Sequence, residues 1–298
     1  MITTVIAPDG RRLAVESWGA SRGAPVFMLH GTPGSRRSPH PRNSVLYRQG
    51  VHLISYDRPG YGDSDPLRGR GVAHAAADVA AIADSLGIET FAVLGRSGGG
   101  PHALACAAML PARVSRAAAL VSVAPRDAEG LDWYAGMTDS NVASFRSAES
   151  GRRSLAMLID AHAARILGNP ESQFPFDDRE LLSADRRVVA DFTIRSMFAA
   201  SFTDAVRTSR FGWIDDTMSF TAPWGFDLDR VACPVLLWHG DLDRFSPVSH
   251  TKWLASRIPQ ASLVIERDAA HFSALNAVPD ILAWLAGPEP GHRVPKVA

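Results

Sequence analysis

The chemistry legible in this chain concentrates at one hydroxyl. Ser97 stands in FAVLGRSGGGPHALA, residues 91–105, between an apolar, strand-like run and an alanine-rich, helix-like run. Gly95-Arg96-Ser97-Gly98-Gly99 fits G-x-S-x-G, a motif that carries weight only when a strand precedes it and a helix follows, as here. The tight turn between them forces the serine into a strained backbone conformation and brings neighbouring chain close, so any side chain at positions 95 and 99 would collide. Such a turn lifts Oγ out of the sheet. It also sets the serine at a helix start, where unpaired N–H groups favour developing negative charge. The plain structural alternative is a serine N-cap.

A hydroxyl is a weak nucleophile until a base takes its proton, and the base needs a carboxylate to hold its ring. The chain has ten histidines. His271, in RDAAHFSAL, falls in the loop after the final strand-like run, where a side chain would return to the C-terminal edge of a sheet. His30 belongs to a glycine-rich turn and His239 to a strand end; the others lie in helical, edge, insertion or tail contexts. For the acid, HGDLDRFSP offers Asp241 and Asp243. Asp243 is favoured because it lies deeper in the loop before Pro247, whereas Asp241 is placed to bond backbone in the turn.

The elements that would position these groups follow from hydrophobic pattern. Short β-branched or apolar runs near 2–6, 12–18, 26–30, 51–56, 91–95 and 117–123 alternate with helical patterns at 74–87 and 98–110. The alternation resumes with two more runs read as buried strands, CPVLLWHGD and ASLVIERD, each followed by a loop and a helix. This is the pattern of a mostly parallel sheet covered by helices on both faces. Residues 126–225 differ, being helix-rich and aromatic with no convincing strand. They are expected to form a helical lid inserted into a core of residues 1–125 and 226–298, and residues 287–298 a frayed tail. Of the lid aromatics, Trp133, Tyr134, Phe145, Trp213 and Trp224 are the candidates to line a substrate pocket; the bland reading is that such rings fill the lid's own core.

Together, HGTPGS (30–35), YDRPGYGDS (56–64), GRSGGG (95–100), HGDLDRFSP (239–247) and AAHFS (269–273) resemble the α/β-hydrolase fold family over nearly the whole chain outside the lid and tail. The resemblance implies an eight-stranded, mostly parallel sheet, and the order Ser97, Asp243, His271 is the family's order of nucleophile, acid and base. It also implies that the backbone N–H groups of Thr32 and Gly98 form an oxyanion hole, with His30 and Gly31 shaping the turn and Pro33 stiffening it. YDRPGYGDS lacks the lysine and spacing of a phosphate loop and reads as structural. Arg96 departs from the neutral or aromatic residue the family often shows there. It would either contact an anionic or carbonyl-bearing substrate or pair with a lid carboxylate.

The implied activity is hydrolysis of a carboxylic ester or lactone through an acyl-serine, with no cofactor and no metal. A serine at the elbow argues against the haloalkane dehalogenases and epoxide hydrolases of this fold, which use a carboxylate there. A C–C bond hydrolase or a proline-releasing aminopeptidase is the closer rival. The latter would need a lid carboxylate for a free amino terminus, with Glu129, Asp132, Glu149 and Asp160 available. A non-catalytic small-ligand receptor is the alternative of another class.

Composition agrees with a small-molecule substrate. The 298 residues, 46% hydrophobic, can bury a sizeable core. Lys plus Arg and Asp plus Glu both number 31, so no overall field draws in nucleic acid or a membrane surface. Cys106 and Cys233 have no metal-ligand spacing and read as buried thiols. No signal peptide or spanning segment is read, so a soluble cytoplasmic protein is expected. Oligomeric state is not encoded in any pattern found.

Overall fold

In the computed structural model, which describes residues 2–168 and 178–287, eight strands form one sheet. They are β1 (Ile2–Ile6), β2 (Arg12–Gly19), β3 (Ala24–Leu29), β4 (Val51–Tyr56), β5 (Phe91–Arg96), β6 (Val114–Leu120), β7 (Val235–Gly240) and β8 (Ala261–Glu266). The spatial order is β1-β2-β4-β3-β5-β6-β7-β8. β1 and β2 form the antiparallel N-terminal hairpin and β2 also runs antiparallel to β4; from β4 onward every pair is parallel.

The strands at the centre are apolar without alternation because both faces are covered. On β3, Phe27 and Leu29 join one core cluster and Val26 and Met28 the other, the two-residue period of a strand buried on both sides. The first face is covered by α2 (His74–Ser85) and α3 (Gly99–Met109), and by α9 (Val248–Arg257) against β7 and β8. The second is covered by α1 (Asn43–Arg48) and α10 (Ala274–Ala286). α2 stops where the sequence says it should: Gly87 takes φ +67° and Ile88 N–H returns to Ala83 O at 2.9 Å. Cys106 and Cys233 are free, buried thiols.

β8 corrects the reading of ASLVIERD as a buried strand. It is the sheet's last strand, paired along one edge only, and Leu263 and Ile265 stay partly in solvent, 38% and 39% exposed. α1 was not legible either: six residues hold too few apolar positions to show a helical period.

Between β6 and β7 the described residues form α4 (Asp139–Glu149), α5 (Arg152–Gly168), α6 (Ser183–Val189), α7 (Phe192–Arg207) and α8 (Phe211–Phe220). This helical insertion has an apolar core of its own, including Leu155, Ile159, Phe198, Phe202 and Trp213, which continues onto Tyr61, Phe245 and Phe272 of the sheet's loops. The insertion therefore sits on the loops that follow the parallel strands, the edge where open α/β sheets bind ligands. No helix among the described residues is long and apolar enough to cross a membrane. Of the expected tail, residues 288–298 lie outside the described residues.

Candidate active site

The turn after β5 has the geometry its glycines predict. Ser97 takes φ +55°, a left-handed conformation that side chains rarely adopt, and its N–H bonds Leu120 O at 2.8 Å. A Cβ on Gly95 would lie 2.1 Å from Gly99 O, and one on Gly99 would lie 2.0 Å from Leu29 O; only hydrogen fits at either position. Among the described residues Ser97 Oγ forms no hydrogen bond, and the residue lines a cavity of about 100 Å³ beneath the helical insertion.

His271 lines the same cavity. Its Nδ1–H donates to Asp243 Oδ2 at 2.8 Å, leaving Nε2 as the nitrogen able to accept a proton. Asp243 lies behind the imidazole, buried, and its other oxygen accepts the backbone N–H groups of Phe245 (2.8 Å) and Ser246 (3.1 Å). Burial alone would raise this carboxyl, but the imidazoles of His271 and of His239, 3.2 Å away, hold it well below the usual carboxylate range. His239 is itself fixed: it meets Ser246 O through Nε2 and Thr251 Oγ1 through Nδ1, both at 2.6 Å. Asp241 Oδ1 accepts Asp268 N–H at 2.8 Å, the backbone role expected of it.

The turn after β3 meets the serine turn from the other side. A Cβ on Gly98 would lie 2.3 Å from Thr32 Oγ1 and 3.1 Å from Thr32 N, so the two backbones nearly touch. Among the described residues no backbone carbonyl accepts either Thr32 N–H or Gly98 N–H, and both residues line the cavity. His30 holds the turn: Arg58 N–H donates to Nε2 (3.2 Å), so Nδ1–H donates to Gly31 O (2.8 Å). Burial, with Arg58 nearby, keeps this imidazole well below its ordinary pKa and hence neutral.

Sequence reasoning missed what anchors that turn. Asp216 of α8, fully buried, reaches from the insertion into the sheet's loops. Its Oδ2 accepts Thr32 Oγ1–H (2.6 Å), Tyr61 OH (2.9 Å) and Arg58 Nη2 (2.5 Å), and its Oδ1 pairs with Arg70 Nη2 (2.6 Å) and meets His102 Nε2 (3.3 Å). Burial opposes the charge, yet Arg58 and Arg70 drive the carboxyl well below its ordinary value. The signal was present in FGWIDDTMSF: acids within an apolar helix must find a buried cation, and Arg58 of YDRPGYGDS supplies one. That second glycine turn thus supplies both Arg58 and Tyr61 to the Asp216 network. A second insertion acid, Asp185 of α6, accepts Phe272 N–H at 2.7 Å, beside His271.

The aromatic candidates divide. Phe145 and Trp213 line the cavity; Trp133, Tyr134 and Trp224 do not. Trp133 is spent on packing, its Nε1–H on Ala124 O (2.9 Å) and its ring edge-on to Phe145 at 4.7 Å. Tyr134 lies under Arg126, and Trp224 stacks on Phe226 at 5.8 Å. Trp133, Tyr134 and Trp224 lie in turns and loops outside the helices, where no periodicity tells a ring facing the cavity from one facing the core. Phe198, Phe202, Phe220, Phe245 and Phe272 line the cavity instead. Arg96 also lines it, its guanidinium 5.2 Å over the Phe198 ring, and the alternative of a pairing with an insertion carboxylate is not formed among the described residues. Glu149 pairs with Arg126 and Asp160 with Arg210.

Comparison with known proteins agrees with this architecture. Residues 24–278 match the family model described as alpha/beta hydrolase fold, and the chain belongs to that family. A non-heme chloroperoxidase of Streptomyces lividans is 26% identical over 94% of this chain and 96% of its own. A 2-hydroxymuconate semialdehyde hydrolase of Pseudomonas putida is 30% identical over 85% and 82%. The enol-lactonase of Burkholderia xenovorans LB400 superposes with a TM-score of 0.68 at 20% identity, covering 94% of this chain and 96% of that one, a likeness of fold.

Proposed function

We propose that this protein is a serine hydrolase of carboxylic esters or lactones. Ser97 Oγ attacks the carbonyl carbon while His271 Nε2 takes its proton; the imidazolium, stabilised by Asp243, then protonates the departing alkoxide. The tetrahedral oxyanion rests on the N–H groups of Thr32 and Gly98, and water activated by His271 clears the acyl-serine. In a lactone the leaving alkoxide stays attached, so the acyl-enzyme keeps the hydroxyl until water releases the hydroxy acid. The helical insertion serves as a lid whose phenyl rings exclude water and receive an apolar substrate.

One observation carries this reading: a strained serine and two backbone N–H groups free of backbone acceptors face the same cavity as an imidazole whose far nitrogen is bonded to a buried carboxylate at 2.8 Å. The described lining of the cavity holds no Asp or Glu, which disfavours an aminopeptidase, whose substrate brings a free ammonium. C–C bond hydrolysis is the second reading, favoured by the Pseudomonas putida relative and its name. The test is labelling with a fluorophosphonate probe followed by peptide mapping, together with the burst of nitrophenol from p-nitrophenyl acetate. Label on Ser97 and a burst are expected in the wild type, and neither in Ser97→Ala with its fold intact. An unlabelled wild-type protein would favour the receptor reading.

A further inference from the structure

Arg96 has an unusual place. It sits one residue before the candidate nucleophile, yet its side chain turns into the cavity and not away from it. A methyl group built on Gly31 would lie 3.6 Å from Ser97 Cβ and 3.9 Å from Arg96 Nη2, so the guanidinium and the serine flank the same small volume. Its carbon stands 5.2 Å over the ring of Phe198, a contact that fixes the plane of the guanidinium and occupies one face. The N–H groups around its edge find no acceptor among the described residues.

A guanidinium has five N–H donors, and a half-buried one from which no described protein group accepts leaves them to whatever fills the cavity. The nearby carboxylates are already engaged: Asp216 with Arg58 and Arg70, Asp243 with His271, Asp185 with the Phe272 N–H. Among the described residues lining the cavity, Arg96 is the one permanent charge, and no Asp or Glu accompanies it. Burial pushes the guanidinium down to about 10, so it stays protonated at neutral pH.

From this geometry we propose that Arg96 is the anion-recognising residue of the site: the substrate is a small ester or lactone that carries a carboxylate a few bonds from the carbonyl attacked by Ser97. The carboxylate satisfies the guanidinium edge, which matches its two oxygens in a forked pair, while Phe198 holds the fork in register. The inference rests on the ester-hydrolase reading for its turnover, though not for its ligand chemistry.

Two matched esters separate these claims. Monomethyl succinate and methyl levulinate have nearly the same shape and differ in a carboxylate against a methyl ketone. With Ser97→Ala, calorimetry requires no turnover, and monomethyl succinate is expected to bind roughly 10- to 100-fold more tightly than methyl levulinate. With active protein in a pH-stat, kcat/KM should favour monomethyl succinate by a similar factor. Arg96→Met should collapse that ratio toward one, and Arg96→Lys should restore part of it. Equal binding of the two esters to Ser97→Ala, or an Arg96→Met change that weakens both alike, would overturn the proposal. Selective binding without turnover of either ester would sink the hydrolase reading and leave the carboxylate site standing. The binding comparison needs no Arg96 variant, so misfolding of Arg96→Met would not remove the test.

Discussion

Replacing Asp216 by Asn removes one buried charge from the junction between the helical insertion and the sheet, and the consequences can be worked out atom by atom. Asp216 neutralises Arg58 and Arg70, both buried, and accepts from Thr32 and Tyr61. An amide keeps one acceptor oxygen and turns an NH₂ group toward donors, leaving two guanidinium groups without a counter-charge. Breaking a buried pair in this way costs about 3–5 kcal/mol, a large share of the ~5–15 kcal/mol that holds a domain together. With a urea slope near 3 kcal/mol per M, the unfolding midpoint should fall by about 1 M or more. The carboxyl sits below its unfolded value, so its stabilisation is present above about pH 4 and is lost as pH falls further. The gap between wild type and Asp216→Asn should therefore close in acid. Thr32→Val isolates the second role, since it removes the Oγ1–H bond and keeps every charge. It should cost only about 1 kcal/mol in stability yet slow ester turnover roughly tenfold or more through a displaced Thr32 N–H. Urea titrations at pH 7 and pH 2.5, with p-nitrophenyl acetate kinetics, read both effects. An Asp216→Asn midpoint within experimental error of the wild type, or a Thr32→Val enzyme with unchanged kcat, would refute the reasoning.

Further expectations concern the site and the pH response. Asp243→Asn retains the volume but removes the charge that stabilises the imidazolium and fixes its tautomer, so kcat should fall by about 10⁴ while the label on Ser97 slows in parallel; unchanged labelling would remove Asp243 from the proton path. Gly98→Ala would set a methyl 2.3 Å from Thr32 Oγ1, prying apart the two N–H donors, and kcat should drop by ~10²–10³ with the melting temperature little changed. His250 is buried between Ala124 N–H (3.1 Å, donated to Nδ1) and Trp133 O (3.0 Å, accepting from Nε2), and burial pushes it down to about 4. Unfolding lets it bind a proton, so stability should decline as pH falls from about 6.5 toward 4, by about 3 kcal/mol over the interval, and level off below. His250→Gln should remove its share of that slope while the buried His30 and His102, also held down, keep theirs; an identical slope in both proteins would count against it.

What the sequence determined by itself was local chemistry. The strands along the chain, the parallel core, the serine turn and the loops carrying Asp243 and His271 were legible because each is written in a short run: apolar stretches, glycines where a Cβ would strike backbone, a histidine and an aspartate just past strand ends. Asp243 could be preferred over Asp241 from two residues of loop depth alone, and each carboxylate takes the partner that depth implied. What tertiary structure decided was every relation across the insertion. How far β8 meets solvent depends on where the sheet ends. Which rings line the cavity depends on how the turn carrying Trp133 settles against α4, since Trp133 and Phe145 lie in contact and only one of them reaches the cavity. Asp216 lies 184 positions from Thr32 in sequence, and whether Arg96 finds a counter-ion depends on carboxylates far away in the chain. Short-range sterics and periodicity act between neighbours and leave their trace in the residues themselves; electrostatic pairing acts through space, and a linear chain does not record which distant charges will meet.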